Sequence, residues 1–453
     1  MPRAKELGLL ALIGALRKNP LEAWTTAYFE EPVVTRRLAF VKAHVVSEPG
    51  AIRRVLSDNA ANYRKDKLQR RMMPALANGL LMVEGEQWHK QRRTLAPLFM
   101  PKTVGTFTDA MAYSADRLVE RWRRHDGVRD IAAEVIRLTI DVLERTIFSE
   151  GLGHDAEEIR AAMHTFFNAS GQVDPLDLLG LPDFIPRPNR LRVRPALRVF
   201  NAAIDAMVAA RKQRLAQDPA NAPRDILTLL IEMKDPQTGS GLSELELRSN
   251  IVTFMTAGHE TTGDAIIWTL FLLSQSEEWS ERVAREANLA AGDRRRRSLE
   301  RLVETRAVIE EALRLYPSIP AISRVAIAAD ELAGTRVDPG SLVIVAPYVV
   351  HRHRRLWERP DMFDPTRFLN GGGERMNRYA YMPFGGGARG CIGSIFAMQE
   401  ATLVVATLLG KFTFELAPGA TVWPMHSVTL RPRGGLPLMV RARSERVAYS
   451  RTG

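Results

Sequence analysis

Cysteine is nearly absent: Cys391 is the only one in 453 residues. A lone thiol makes no internal disulfide. With no second cysteine and no CxxC pair, the usual ligand sets for structural zinc or an iron–sulfur cluster are excluded. His351 and His353 form only a two-residue cluster, read as surface or packing residues. Long hydrophobic runs are missing too. The apolar run Leu7–Leu16 is about half the length of a membrane span, and no small-residue cleavage site follows it. Neither a stable membrane anchor nor a signal peptide is expected, and the chain reads as soluble and cytoplasmic, where one reduced thiol is normal. A Ser/Gly linker, a repeat and a low-complexity tract are also absent. Length alone suggests two or three domains, yet nothing divides the chain. Gln217–Arg224, Asp235–Gly241 and Gly371–Gly373 read as surface loops, so one domain over 1–453 is expected.

What is present begins with charge. Sixty-three Lys and Arg against 52 Asp and Glu leave a net charge of +11. Arginines cluster at Arg121–Arg124, Arg294–Arg297 and Arg352–Arg355. Nucleic-acid binding needs such charge on one face with stacking aromatics or a recognisable module, and neither is visible. The clusters read as solvated helix ends and loops, or as a basic docking face for an acidic partner protein. Apolar residues make up 45% of the chain, ample for a large core. They recur at helical spacing in 104–123, 131–148, 193–216, 243–274, 300–315 and 394–409. Short strand-like runs lie at Leu38–Val46, Val325–Ala329, Leu342–Ala346 and Leu436–Val440. The fold class is therefore mainly α with a small β region.

The single cysteine stands in Phe384-Gly385-Gly386-Gly387-Ala388-Arg389-Gly390-Cys391-Ile392-Gly393. Glycine and alanine strip side chains from the loop and let the backbone approach a flat ligand. Free backbone N–H groups are then expected to hold the sulfur as thiolate. A haem iron is the ligand that suits such a site, because axial thiolate favours O–O cleavage. Taken alone, a thiol beside a glycine turn is equally a buried, inert cysteine.

The ten-residue pattern resembles the cysteine loop of the cytochrome P-450 superfamily, FxxGxRxCxG, with Phe384, Gly387, Arg389, Cys391 and Gly393 in register. The resemblance runs from about Pro20 to about Val440 and includes four further motifs in order. It implies a fold of helices enclosing a buried haem b, with Cys391 as axial ligand to the iron. No fused reductase is expected.

Ser243-Glu244-Leu245-Glu246 is a capping box before a long apolar run. The helix it starts could reach Ser274 and cross the molecule, apolar on most faces and so central. Its middle carries Ala257-Gly258-His259-Glu260-Thr261-Thr262, where Gly258 and the threonine hydroxyls predict a kink. A buried Glu–Thr pair there is expensive unless it handles protons or water. The segment is similar to the family's AGx[DE]TT motif. That implies Thr261 as hydrogen-bond donor where dioxygen is activated and Glu260 as proton relay. His259 takes no chemistry, and Thr262 is structural.

Glu311-Ala312-Leu313-Arg314 resembles the family's ExxR helix, and Pro365-Thr366-Arg367-Phe368 its PxRF motif. Glu311, Arg314 and Arg367 are then a buried structural triad behind the cysteine loop. Haem propionates need cations. Trp88 and Arg92, four apart on one helical face, match the family's WxxxR helix. Arg324 and Arg389 complete the implied propionate set, and Phe384 flanks the haem. His89, Lys90 and Arg93 are expected to face solvent, Lys90 or Arg93 being open to docking an electron carrier.

Resemblance also places substrate-facing segments after Tyr63, around Asn168–Leu191, above the central helix, after the ExxR motif and near the carboxy terminus. They include Leu80, Leu81, Met82, Val83, Phe254, Ala257, Pro320, Ala321, Ile322, His426, Ser427 and Val428. Most are apolar, which implies a lipophilic small molecule. The implied activity is monooxygenation of that molecule by O2, as a monomer, with two electrons ultimately from NAD(P)H through a separate ferredoxin or flavodoxin and its reductase. Two alternatives are a peroxide-driven peroxygenase and a thiolate-haem isomerase, branches that often alter the acid–threonine pair intact here. A non-catalytic haem sensor would need neither Glu260 nor Thr261.

Overall fold

The longest helix begins where its cap predicts. Ser243 Oγ accepts from Glu246 N–H at 3.3 Å, and the Glu246 carboxylate accepts from Ser243 N–H at 2.9 Å. The helix then runs from Glu244 to Ser274. These coordinates come from a computed structural model that describes residues 7–38, 41–65, 76–149, 151, 165, 188–291 and 299–443. The helix is buried along most of its length and packs most extensively against Ile131–Ile147, Val303–Leu315 and Ser394–Leu409. Such all-round burial is what an almost uniformly apolar helix requires.

The expected kink is not a break, because the helical pattern continues through Gly258. Glycine serves packing instead. A Cβ on Gly258 would lie 3.1 Å from a Leu143 methyl, and one on Gly263 would lie 2.7 Å from Ile136 Cδ1. Both contacts belong to the crossing with Ile131–Ile147. That neighbour is itself amphipathic, capped by Asp130, with Val135, Leu138 and Val142 turned inward.

The other expected helices appear as Thr108–Trp122, Pro188–Gln217, Val303–Leu315 and Ser394–Leu409. The run expected as one strand, Leu38–Val46, is two: Val33–Leu38 pairs antiparallel with Val41–Val46. Alternation does not reveal where a hairpin turns, and residues 39–40 lie outside the described residues. This hairpin edges a five-stranded sheet that continues through Leu342–Val345, Ile322–Ala326 and Tyr63–Arg64. A three-stranded sheet joins Gly127–Asp130, Pro437–Ala442 and Phe412–Leu416. The architecture is helical with small sheets, as expected. No described helix is long and apolar enough to cross a membrane.

Candidate active site

Cys391 lies three residues before the helix Ser394–Leu409, in a loop whose glycines have identifiable work. Gly385 and Gly387 adopt positive φ of 72° and 66°, a region that penalises side chains. A Cβ on Gly387 would also collide with the Leu56 carbonyl. The turn closes through Cys391 N–H donating to the Phe384 carbonyl at 2.8 Å. The Cys391 residue has accessible surface, yet its thiol lies deep within the protein's mass. Burial pushes the thiol pKa up, while the Gly393 N–H and Arg92 pull it down. The net direction is upward, burial outweighing the Gly393 N–H and Arg92. A cation at sulfur would be needed to reverse the balance.

Arginines approach this loop from two sides. Arg92, on the helix Gly85–Leu95, donates from Nη1 to the Gly390 carbonyl at 3.1 Å. Arg389 donates to the Val83 carbonyl at 2.8 Å, and its guanidinium lies 4.2 Å from the Trp88 ring centroid. Arg324, on the strand Ile322–Ala326, donates to its neighbour's carbonyl, Ser323, at 2.8 Å. Burial pulls Arg92 and Arg324 below the ordinary guanidinium value. Cys391 and Glu84, respectively, oppose that shift only in part. Cations buried with incomplete counter-charge are costly unless an anion joins them.

The central helix supplies the facing wall. The Phe254 and Phe99 rings meet edge to face at 5.2 Å, and Phe99 in turn lies 3.7 Å from where a Gly393 Cβ would stand. Ala257 is exposed, Thr261 half-buried, and Thr261 Oγ1 donates to the Ala257 carbonyl at 2.6 Å. Ser318 Oγ donates to the Thr261 carbonyl at 2.7 Å and ties in the chain after the Val303–Leu315 helix. Glu260 is not fully buried: its side chain is 31% exposed and sits 3.6 Å from Arg431. Burial still raises its pKa, with Arg431 and Thr429 opposing. His259 is buried, its Nδ1 within 2.8 Å of the Met255 carbonyl.

Behind the cysteine loop, Glu311 and Arg314 are fully buried and share two hydrogen bonds of 2.7 and 2.8 Å. Arg314 also donates to the carbonyls of His351, Pro360 and Met362. Arg367 approaches Glu311 at 3.6 Å. The three residues thus meet. His351 and His353 prove to be packing residues, both buried. His351 Nε2 accepts from Met382 N–H, and among the described residues no cluster could hold a metal ion.

Several positions differ from expectation. Arg93 donates two hydrogen bonds, of 3.0 and 3.1 Å, to buried Asp235, and Lys90 lies 4.0 Å from Glu246. Neither is the unpaired cation that docking needs. Arg352 is buried against the rings of Tyr316 and Tyr348, while Arg354 and Arg355 pair with Glu30 and Glu31. Arg354 and Arg355 stay exposed, as expected of solvated positions, and only Arg352 is buried. Arg294–Arg297 and most of Asn168–Leu191 lie outside the described residues. Leu80, Met82 and Val83 are buried and Leu81 is exposed; His426 is largely buried, with Nδ1 unpartnered. Asp264, fully buried one turn after Glu260, and its neighbour Thr429 carry no motif and were not singled out from sequence.

This combination of fold, glycine-lined thiol and Glu–Thr turn defines a haem-thiolate oxygenase class. The family model for cytochrome P450 matches residues 3–438. The chain is 30% identical over 420 residues to cyclooctatin synthase of Streptomyces melanosporofaciens, covering 92% of this chain and 90% of that protein. It is 28% identical to pentalenene oxygenase of Streptomyces avermitilis, covering 95% and 94%. The solved haem domain of cytochrome P450DA superposes with a TM-score of 0.84 at 23% identity, covering 98% of each chain. The chain belongs to the cytochrome P450 family and is a monooxygenase of it. That family implies a haem, and the residues fit one: a single soft thiol ligand, a glycine cradle a flat ring can approach, and desolvated guanidiniums for its carboxylates.

Proposed function

We propose that this enzyme inserts one atom of O2 into an unactivated C–H bond of a lipophilic, polycyclic terpenoid. The observation that supports this reading is that the Cys391 loop meets, through Phe99 and Phe254, the same helix that bears Glu260 and Thr261. Bound through Cys391, haem supplies the activation of O2, with thiolate favouring O–O cleavage. Arg92, Arg324 and Arg389 would hold its carboxylates, with Trp88 backing Arg389, and Phe384 would contribute to its binding. Thr261 holds a hydroxyl midway along the central helix. Glu260, raised in pKa yet touching solvent, delivers protons beside it. Glu311, Arg314 and Arg367 serve the fold rather than turnover. The substrate class follows from relatives named cyclooctat-9-en-7-ol 5-monooxygenase and pentalenene oxygenase, together with the apolar Phe254, Ala257 and Ile322. Two electrons come from NAD(P)H through a separate acidic ferredoxin or flavodoxin. The working form is a single-domain monomer in the cytoplasm.

Thr261→Ala tests the reading. Alanine keeps the helix and removes the hydroxyl. Folding, haem content and substrate binding should stay intact while reducing equivalents go to hydrogen peroxide. The measurement is product formed per NAD(P)H consumed with carrier saturating. A variant coupled as well as wild type would remove Thr261 from oxygen activation.

A further inference from the structure

One helical turn beyond Glu260, Asp264 is 1% exposed, and its Oδ2 has no hydrogen-bond partner. Positions four apart share a helix face, so the two carboxyls are neighbours. Opposite them, Thr429 is 3% exposed, and its hydroxyl also lacks a partner. It lies close enough to act on both carboxyls as a hydrogen-bonding neighbour that lowers their pKa values, although its hydroxyl is not aligned for a full hydrogen bond with either. Two orphaned polar atoms this deep are costly and uncommon.

The wall that carries Thr429 is fixed against the central helix. Trp268 Nε1 donates to the Leu430 carbonyl at 2.7 Å. Leu430 N–H donates to the Ser318 carbonyl at 3.0 Å, and Ser318 Oγ is bonded to the Thr261 carbonyl. Arg431, next along this strand, ion-pairs with Glu260. Asp264 therefore sits one turn beyond Glu260 and Thr261 on the central helix, beside Thr429 on a wall that is itself tied to that helix.

We propose that Asp264 is a second proton donor that reloads Glu260 through the Thr429 hydroxyl. It acts through Glu260 and is a positioning residue. The proposal rests on the proton-delivery role given above to Glu260 and Thr261. Monooxygenation reduces the second oxygen atom to water and so consumes two protons per turnover, whereas Glu260 stores at most one. When Glu260 has given its proton toward Thr261, the Asp264 O–H bond breaks and its proton passes to Thr429 Oγ. The Thr429 hydroxyl proton passes to the Glu260 carboxylate. Negative charge moves from Glu260 to Asp264, an uphill transfer drawn forward by consumption of the second proton at Thr261; no electrons transfer, and solvent restores the proton through the exposed edge of Glu260. The ionisable groups acting on Asp264 are Glu260 on its own helix and Arg431 on the strand opposite. Burial first, then the Glu260 charge, raise its pKa, while Thr429 and Arg431 oppose, so Asp264 keeps its proton at neutral pH.

Infrared spectroscopy of the resting holoenzyme tests the protonation without turnover. Wild type at neutral pH should show a deuterium-sensitive carboxylic-acid band that Asp264→Asn loses and Glu260→Gln keeps. Asparagine preserves size and neutrality, so haem content and the substrate-induced spectral shift should persist. Turnover in Asp264→Asn should fall about tenfold, less than the roughly 100-fold typical of losing a direct proton donor. Its solvent deuterium isotope effect should rise. Thr429→Val should keep the band and show the same fall, and it carries the test if Asp264→Asn does not fold. A spectrum in which Asp264→Asn removes no band overturns the proposal. So do unchanged turnover and isotope effect in either variant. If Glu260→Gln still slows turnover in that case, the primary relay stands and only the second donor is lost. A Glu260→Gln enzyme as fast as wild type would remove the relay itself.

Discussion

Glu311→Ala is the sharpest test of what holds the site together. The carboxylate accepts from Arg314 Nε at 2.7 Å, Arg314 Nη2 at 2.8 Å and Asp364 N–H at 2.8 Å, and it faces Arg367 at 3.6 Å. Removing one partner of a buried ion pair costs about 3–5 kcal/mol because the other charge stays desolvated. Arg314 would keep three carbonyl acceptors and its position 5.0 Å from the Trp357 ring centroid. Those contacts place the loss near the lower end, about 3 kcal/mol. Against a typical total of about 5–15 kcal/mol, that is a fifth to more than half of the stability. The assay is the yield of soluble, haem-replete protein together with the urea midpoint. Glu311→Gln should be intermediate, since its amide oxygen still accepts one bond. A Glu311→Ala enzyme with wild-type midpoint and haem content but a slower rate would refute the structural role and make Glu311 part of turnover.

Cys391→His should lose the red-shifted Soret band of the ferrous carbonyl complex while keeping haem; a thiolate spectrum in that variant would mean another ligand. Stability should fall on acidification from about pH 6.5, the ordinary histidine value. Burial lowers His351 to about 3 and His259 and His426 to about 4, so the unfolded chain binds protons first and each group contributes up to roughly 1.4 kcal/mol per pH unit. This stability is complete above pH 6.5 and is lost toward those folded values, so His351→Gln should flatten the acid limb of the urea midpoint, and an unchanged limb would contradict it. Reduction by an acidic ferredoxin should slow with added salt; Arg93→Ala should leave that dependence intact, because Arg93 is already held by Asp235, and a changed slope would restore it to the docking face.

Where local rules act alone, the fold was legible. The capping box placed the start of the central helix, and apolar periodicity placed Ile131–Ile147 and Ser394–Leu409 within a residue or so. It failed where the deciding contact is remote. Gly258 reads as a weak point in a helix until Leu143, on another helix, is seen against it. Arg93 reads as a surface cation until Asp235 closes over it. Formal charge likewise does not say which arginines are already paired, and Arg352 is buried among aromatic rings.

The candidate site divides the same way. Cys391, Glu260 and Thr261 stand in short patterns whose chemistry depends on immediate neighbours. The direction of the Cys391 pKa does not, because burial outweighs the loop's own N–H groups. Asp264 was half visible, since four residues from Glu260 on an apolar helix puts two carboxyls on one face. What makes it more than a buried acid is Thr429, which lies far along the chain and reaches the helix only because Ser318 and Trp268 fix the intervening strand. A proton path through side chains from two remote segments has no spacing to read. It becomes visible only where the packed interior sets two unpartnered oxygen atoms, on Asp264 and Thr429, beside an acid that reaches solvent.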